Sequence, residues 1–144
     1  MKAEVPEAYY TTEIGKAASV SSGNDITIIT YGLGVHWAME EMAERTDVSA
    51  EIVDLRTLMP LDEVSIYNAV KKTGKVIVLH EDCLAGGIGG EISALINEHC
   101  FESLDAPVMR VASLNSPVPF AENIEKIFLP KTRLNKAIDR LLSY

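Results

Sequence analysis

The sequence has few cysteines and no long apolar run, and each shortage excludes something. Two cysteines, Cys83 and Cys100, among 144 residues cannot build a disulfide framework, so a reduced, cytoplasmic setting is the simple expectation. No apolar stretch approaches the roughly 18 residues that a membrane-spanning helix needs. The opening MKAEVPEAYYTTEIGK lacks the hydrophobic core of a secretory signal. No Pro/Gly/Ser-rich linker, internal repeat or low-complexity tract divides the chain.

Positive charge is also scarce. The formal net charge is −8, which argues against nucleic acid or an anionic membrane as partner, since both are polyanions. The imbalance is uneven: residues 1–120 hold 18 acids against 8 Lys and Arg, whereas residues 121–144 hold 3 against 5. An acidic surface keeps a protein solvated, and it also suits a basic partner protein.

What is present reads as one domain. Hydrophobic residues make up 47% and charged residues 24%, ordinary globular values in a chain long enough to bury a core. Residues 12–20 look extended, and SSGND then turns the chain. ITIITYG (26–32), AEIVDL (50–55), KVIVLH (75–80) and PVMRVAS (107–113) are apolar runs of the kind that fill doubly covered strands. Helical spacing separates them. Val35, Ala38, Met39, Met42 and Ala43 mark one helix, and Val64, Tyr67 and Val70 a second, with Asp62 as its N-cap and Gly74 as its terminator. Ile88, Ile92, Leu95, Ile96 and Cys100 mark a third, and Leu134, Ala137, Ile138, Leu141 and Leu142 a terminal one. Strand–helix alternation predicts a Rossmann-like, three-layer α/β domain with a mostly parallel sheet. The short turn after the first extended segment suits antiparallel neighbours only.

Residues 80–92, HEDCLAGGIGGEI, are the most chemically loaded stretch. His80, Glu81 and Asp82 are consecutive at a strand end, so their side chains alternate between faces and cannot close around one ion. No spaced zinc signature includes Cys83, and His99 and Cys100 point about 100° apart on a helix. Gly86, Gly87, Gly89 and Gly90 lie between a strand and a helix N-terminus, where backbone amides can hold an anion. A dinucleotide fingerprint starting at Gly87 would need glycine at position 92, where Ile92 stands. The P-loop ending is missing too, because Glu91 follows Gly90. A structural loop is the favoured reading, and a free-standing nucleotide- or anion-binding regulatory module is the alternative. His36, beside Trp37, reads as a partly buried packing residue. No G-x-S-x-G elbow or H-E-x-x-H occurs, so the chain itself is expected to supply no catalytic, cofactor-binding or metal-ligating residue.

Several motifs together resemble one family. VDLRTLMPLD (53–62), HED followed by GGIGGEI (80–92), LDAPVMRVAS (104–113) and NSPVPFA (115–121) are similar to the C-terminal domain of the transketolase superfamily. Within it they most resemble the beta subunit, or beta half, of the decarboxylating component of 2-oxoacid dehydrogenases. ITIITYGLGVHWAMEEM (26–42) is similar to the branched-chain, 2-oxoisovalerate members, and GVHWAM speaks against transketolase or deoxyxylulose-phosphate synthase.

The resemblance implies a five-stranded sheet of order 1-3-2-4-5 with strand 1 antiparallel. It implies residues 1–11 as the remnant of a linker from a preceding pyrimidine-binding domain, and residues 12–144 as the domain itself. It also implies an enzyme that uses thiamine diphosphate and magnesium to decarboxylate a 2-oxoacid and passes the acyl group to a lipoyl arm. The cofactor lies between other domains, so none of its binding residues maps here. The expected role is assembly with the other subunits and docking to the acyltransferase core. In the family, the acid before Ala-Pro and the C-terminal carboxylate lie where the acyltransferase's basic subunit-binding domain docks. Those positions are Asp105 and Tyr144.

Overall fold

The computed structural model describes residues 6–144, so the first part of the expected linker lies outside the described residues. Five strands form one sheet: β1 (Ala18–Ser21), β2 (Ile26–Thr30), β3 (Ala50–Asp54), β4 (Val76–Cys83) and β5 (Met109–Ser113). Their spatial order is β1-β3-β2-β4-β5, with β1 antiparallel to β3 and every other pairing parallel. Five α-helices alternate with them: α1 (Leu33–Glu44), α2 (Glu63–Thr73), α3 (Gly89–Cys100), α4 (Glu122–Phe128) and α5 (Lys131–Leu142).

The continuous apolar strands explain the three layers. Successive side chains on a strand point to opposite faces, so ITIIT feeds two cores at once. Ile26 and Ile28 join Trp37, Ala38, Ile52, Ile77, Leu79, Leu134 and Ile138 under α1 and α5. Ile29 instead joins Val53, Ile66, Val70, Val76, Val78, Ile92 and Ile96 under α2 and α3. Each fully buried Ile contributes roughly 1.5–3 kcal/mol of transfer free energy, so neither layer is dispensable. One polar link runs through the second layer: Thr27 Oγ1 donates to the Ala69 carbonyl at 3.0 Å and lies 2.8 Å from the Thr73 hydroxyl.

The second helix ends as its sequence predicts. Asp62 accepts from the Ser65 N–H at 3.2 Å, and Gly74 closes α2 in the left-handed conformation at φ 66°. Asp62 also accepts the Ala17 N–H at 3.0 Å, which ties the approach to β1 onto this cap. Burial pushes the Asp62 carboxyl up, but bonds from the Ala17 N–H and from Ser65 outweigh it and hold the pKa below its ordinary value.

Several expectations need correction. The extended reading of residues 12–20 yields a strand only from Ala18, because the chain turns at Gly15, φ 77°, whose N–H donates to Thr57 Oγ1 rather than to a ladder. Met39 is 47% exposed while Trp37 is buried and His36 exposed, so the apolar face of α1 is rotated toward Trp37. Val64 is 67% exposed, and α2 buries Ile66, Ala69, Val70 and Thr73 instead. The short helix α4 had no reading in the sequence, because most of its apolar side chains, Ile124 and Ile127 among them, face outward.

Candidate functional site

The glycine-rich loop connects β4 to α3, and His80 organises it from below. His80 is wholly buried, and neither ring nitrogen has a hydrogen-bond partner among the described residues. A side chain at Gly87 would strike the His80 ring and the Cys83 carbonyl, and one at Gly89 would strike His80 Nε2 and Cδ2. These two glycines therefore let the helix start close over an imidazole. Gly86 serves differently: its φ of 81° makes the turn, and open space surrounds it. Gly90 has only ordinary contact, 3.5 Å from Arg110 Nη1. Burial lowers the His80 pKa, opposed by the Asp82 carboxylate and assisted by Arg110, so the ring is neutral at physiological pH.

That arrangement is a poor cradle for a pyrophosphate. The inner face of the loop is filled by the imidazole and the Cys83 carbonyl, and Glu91 occupies the first turn of α3. Magnesium would need several oxygen ligands converging on one point, and among the described residues no group of three or more His, Cys, Asp or Glu is placed to hold a metal. Glu81 and Asp82 are exposed on a cleft with Tyr31, Cys83, Val118 and Phe128, away from the buried side of His80. The glycine loop, as its residues are placed, does not fit the pyrophosphate of thiamine diphosphate.

Asp105 and Tyr144, the two expected docking residues, lie near the other end of the sheet edge. The Asp105 N–H donates to the Gly74 carbonyl at 2.8 Å, and its carboxylate lies over Gly74 at the end of α2. Tyr144 is 57% exposed and lines a groove of about 520 Å³ between β5 and α5. Pro107, two residues beyond Asp105, lines the same groove, but Asp105 itself does not: it packs on Gly74 instead.

The sequence reading missed the cations there. Arg110, Arg133, Lys136 and Arg140 all line the groove. Arg133 is already spent, because its guanidinium donates to the Ala112, Ile127 and Phe128 carbonyls at 2.6–3.0 Å. A signal was available: positions 133, 136 and 140 follow i, i+3, i+7, the spacing of one helix face.

A second polar cluster lies at the opposite edge. Glu51, largely buried, accepts from Lys72 Nζ and from the Ser19 hydroxyl, both at 2.6 Å, and Lys72 also reaches Ser22 at 3.0 Å. Burial raises the Glu51 pKa, but these bonds outweigh it and leave the pKa lowered. The pair is internally satisfied and staples β1 and β3 to α2.

Comparison with known proteins decides the family. The model of the transketolase C-terminal domain matches residues 15–133. The chain belongs to that family. It is 47% identical over 132 residues to the 2-oxoisovalerate dehydrogenase subunit beta of Bacillus subtilis (strain 168), covering 90% of this chain and 40% of that protein. It is 44% identical over 129 residues to the pyruvate dehydrogenase E1 component subunit beta of the same organism, covering 88% and 39%. Among solved structures, a split-gene transketolase described as an inactive beta4 tetramer superposes with a TM-score of 0.77 at 25% identity, over 96% of this chain and 46% of that one. The transketolase C-terminal domain chain thus spans about two fifths of the length of the curated relatives it matches. Its sheet order and antiparallel first strand are those the family resemblance implied.

Proposed function

We propose that this transketolase C-terminal domain is the assembly and docking part of a thiamine-diphosphate-dependent 2-oxoacid dehydrogenase component. The parent enzyme decarboxylates a branched-chain 2-oxoacid and passes the acyl group to lipoyl. The observation that carries this reading is the 47% identity to a 2-oxoisovalerate dehydrogenase beta subunit across nearly the whole chain. Thiamine diphosphate and magnesium are held elsewhere in the parent, in keeping with a glycine loop packed onto His80 rather than open to a phosphate. Within the assembly this domain supplies a rigid sheet, with the other subunits and the acyltransferase core as its partners.

Docking of the acyltransferase's basic subunit-binding domain is assigned to the region of Asp105 and Tyr144. Asp105 is exposed, and its backbone is held by Gly74, so it presents a fixed carboxylate. A carboxylate facing Lys or Arg speeds encounter and fixes register. Tyr144 has Arg110, Lys136 and Arg140 around its groove, so a basic module meets like charge on that side. Asp105 therefore carries more of the proposal than Tyr144.

The test uses the reassembled parent enzyme. Asp105→Asn should weaken binding of the subunit-binding domain about fivefold to tenfold or more, and added salt should weaken the native complex, since exposed charges are screened over about 8–10 Å. Tyr144→Ala should have the smaller effect. Unchanged, salt-insensitive binding by Asp105→Asn would place the interface elsewhere. Turnover of 2-oxoisovalerate compared with pyruvate by the same assembly checks the substrate.

A further inference from the structure

The sheet ends in an unpaired edge. Among the described residues β5 has a ladder partner, β4, on one side only. On its other side lies the groove bounded by Pro107–Arg110 and by α5, continued past Val111–Asn115 by a second hollow of about 310 Å³. The Arg133 guanidinium bonds the Ala112 carbonyl from that open side, so the Ala112 backbone faces away from β4. Backbone polar groups alternate in direction along a strand, so the N–H and C=O of Arg110 face the open side as well.

Three cations without a side-chain ion pair among the described residues line this groove: Arg110 on the strand, whose guanidinium also donates to the Leu84 carbonyl at 3.2 Å, and Lys136 and Arg140 at i, i+4 on α5. The five ion pairs among the described residues use Arg45, twice, and Lys72, Lys126 and Lys131 instead. No Asp or Glu side chain lines the groove, although the chain as a whole carries a charge of −8. Lysine or arginine on an open strand repels apolar or basic strands and so protects the edge from aggregation. The same charges favour an acidic strand.

We propose that the open edge of β5 is a docking site for an extended acidic peptide segment of a partner protein. The segment adds as a further strand beside Val108–Arg110, its main chain bonds to the outward amide and carbonyl of Arg110, and its carboxylates meet Arg110, Lys136 and Arg140. Main-chain bonds supply the register and the cations supply the selection. Tyr144 lines this groove, so the proposal gives the Tyr144 side to an acidic segment and leaves the basic partner to Asp105, which lies outside the groove and is tested by a different variant.

The test is a titration of the 144-residue chain with a fluorescently labelled, acetylated peptide of alternating glutamate and valine. Saturable binding is expected, at least about tenfold weaker at about 0.5 M salt than at about 0.05 M. The double variant Lys136→Glu/Arg140→Glu changes two exposed side chains and should abolish binding while leaving the circular dichroism and thermal unfolding intact. A peptide N-methylated at alternate amides should bind about tenfold more weakly, because it cannot form the ladder. A lysine–valine peptide should not bind. The proposal is overturned if the acidic peptide does not bind, if the charge-reversed variant binds it equally well, or if the N-methylated peptide binds as tightly as the parent. It is also overturned if sedimentation shows that the chain self-associates and the double variant abolishes this, since the occupant is then a second copy.

Discussion

The imidazole of His80 lies in the space that a side chain at Gly89 would need. One strand-end histidine and one helix-start glycine thus fit each other, and packing on His80 accounts for Gly87 and Gly89 of the loop. Gly89→Ala gains up to about 1 kcal/mol of helix propensity but forces a buried, wedged ring to move, an overpacking cost of roughly 1–3 kcal/mol. The net expectation is destabilisation on the order of 1–2 kcal/mol in urea unfolding. Gly90→Ala, which meets only ordinary contact, should be neutral or slightly stabilising. Equal effects at the two positions would show that His80 does not set the requirement.

The same histidine makes stability depend on pH. Its folded pKa lies below the ordinary 6.5 because burial disfavours the charged ring. A depressed histidine pKa means that the unfolded state takes up the proton first, so the contribution is complete above about pH 6.5 and declines as pH falls toward the folded value. Denaturant midpoints measured from pH 7.5 downward should therefore begin to fall near pH 6.5. A His80→Leu variant should lose that part of the decline. Below this window lies a second loss, as pH falls through the depressed folded pKa values of Glu51 and Asp62, and His80→Leu should retain it.

Asp62 caps α2 and holds the Ala17 N–H ahead of β1. Asp62→Ala removes the cap and leaves a partly buried amide unpaired, together about 1–3 kcal/mol of stability. Hydrogen exchange should show the approach to β1 opening along with the first turn of α2. Faster exchange in α2 alone would mean that Ala17 does not depend on this carboxylate.

Arg133 satisfies three carbonyls, those of Ala112, Ile127 and Phe128, and so locks α4 against β5. Arg133→Met keeps much of the stem but orphans the Ala112 and Ile127 carbonyls and leaves Phe128 only the Leu114 N–H, with an expected loss of roughly 1–3 kcal/mol. Protection of α4 amides should fall first. A variant as stable as the native chain would show that water serves the three carbonyls equally well.

Much of the architecture was legible in the sequence because it rests on local patterns. Apolar runs such as KVIVLH specify strands covered on both faces, and Asp62 and Gly74 mark the ends of α2 through backbone chemistry confined to one turn. The short turn between the first two extended segments reverses the chain, but it does not make them neighbours: β1 pairs antiparallel with β3, which lies between β1 and β2. The family motifs then supplied the order of strands, which no local pattern contains.

Other features came only with the tertiary structure. Periodicity alone placed Met39 and Val64 on buried faces, yet helix rotation against the sheet buries Trp37 and Ile66 instead, because the larger or better-fitting side chain wins the available volume. Gly87 and Gly89 are spaced like a phosphate loop, and only the position of His80 beneath them shows that the space is filled. Arg110 comes from a strand, and Lys136 and Arg140 from a helix after an intervening α4, so their shared groove exists only once α5 lies beside the open edge of β5. Sequence spacing determines which side chains share a face of one element. Packing between elements decides which of those faces meet, and therefore where charge, space and unpaired backbone coincide.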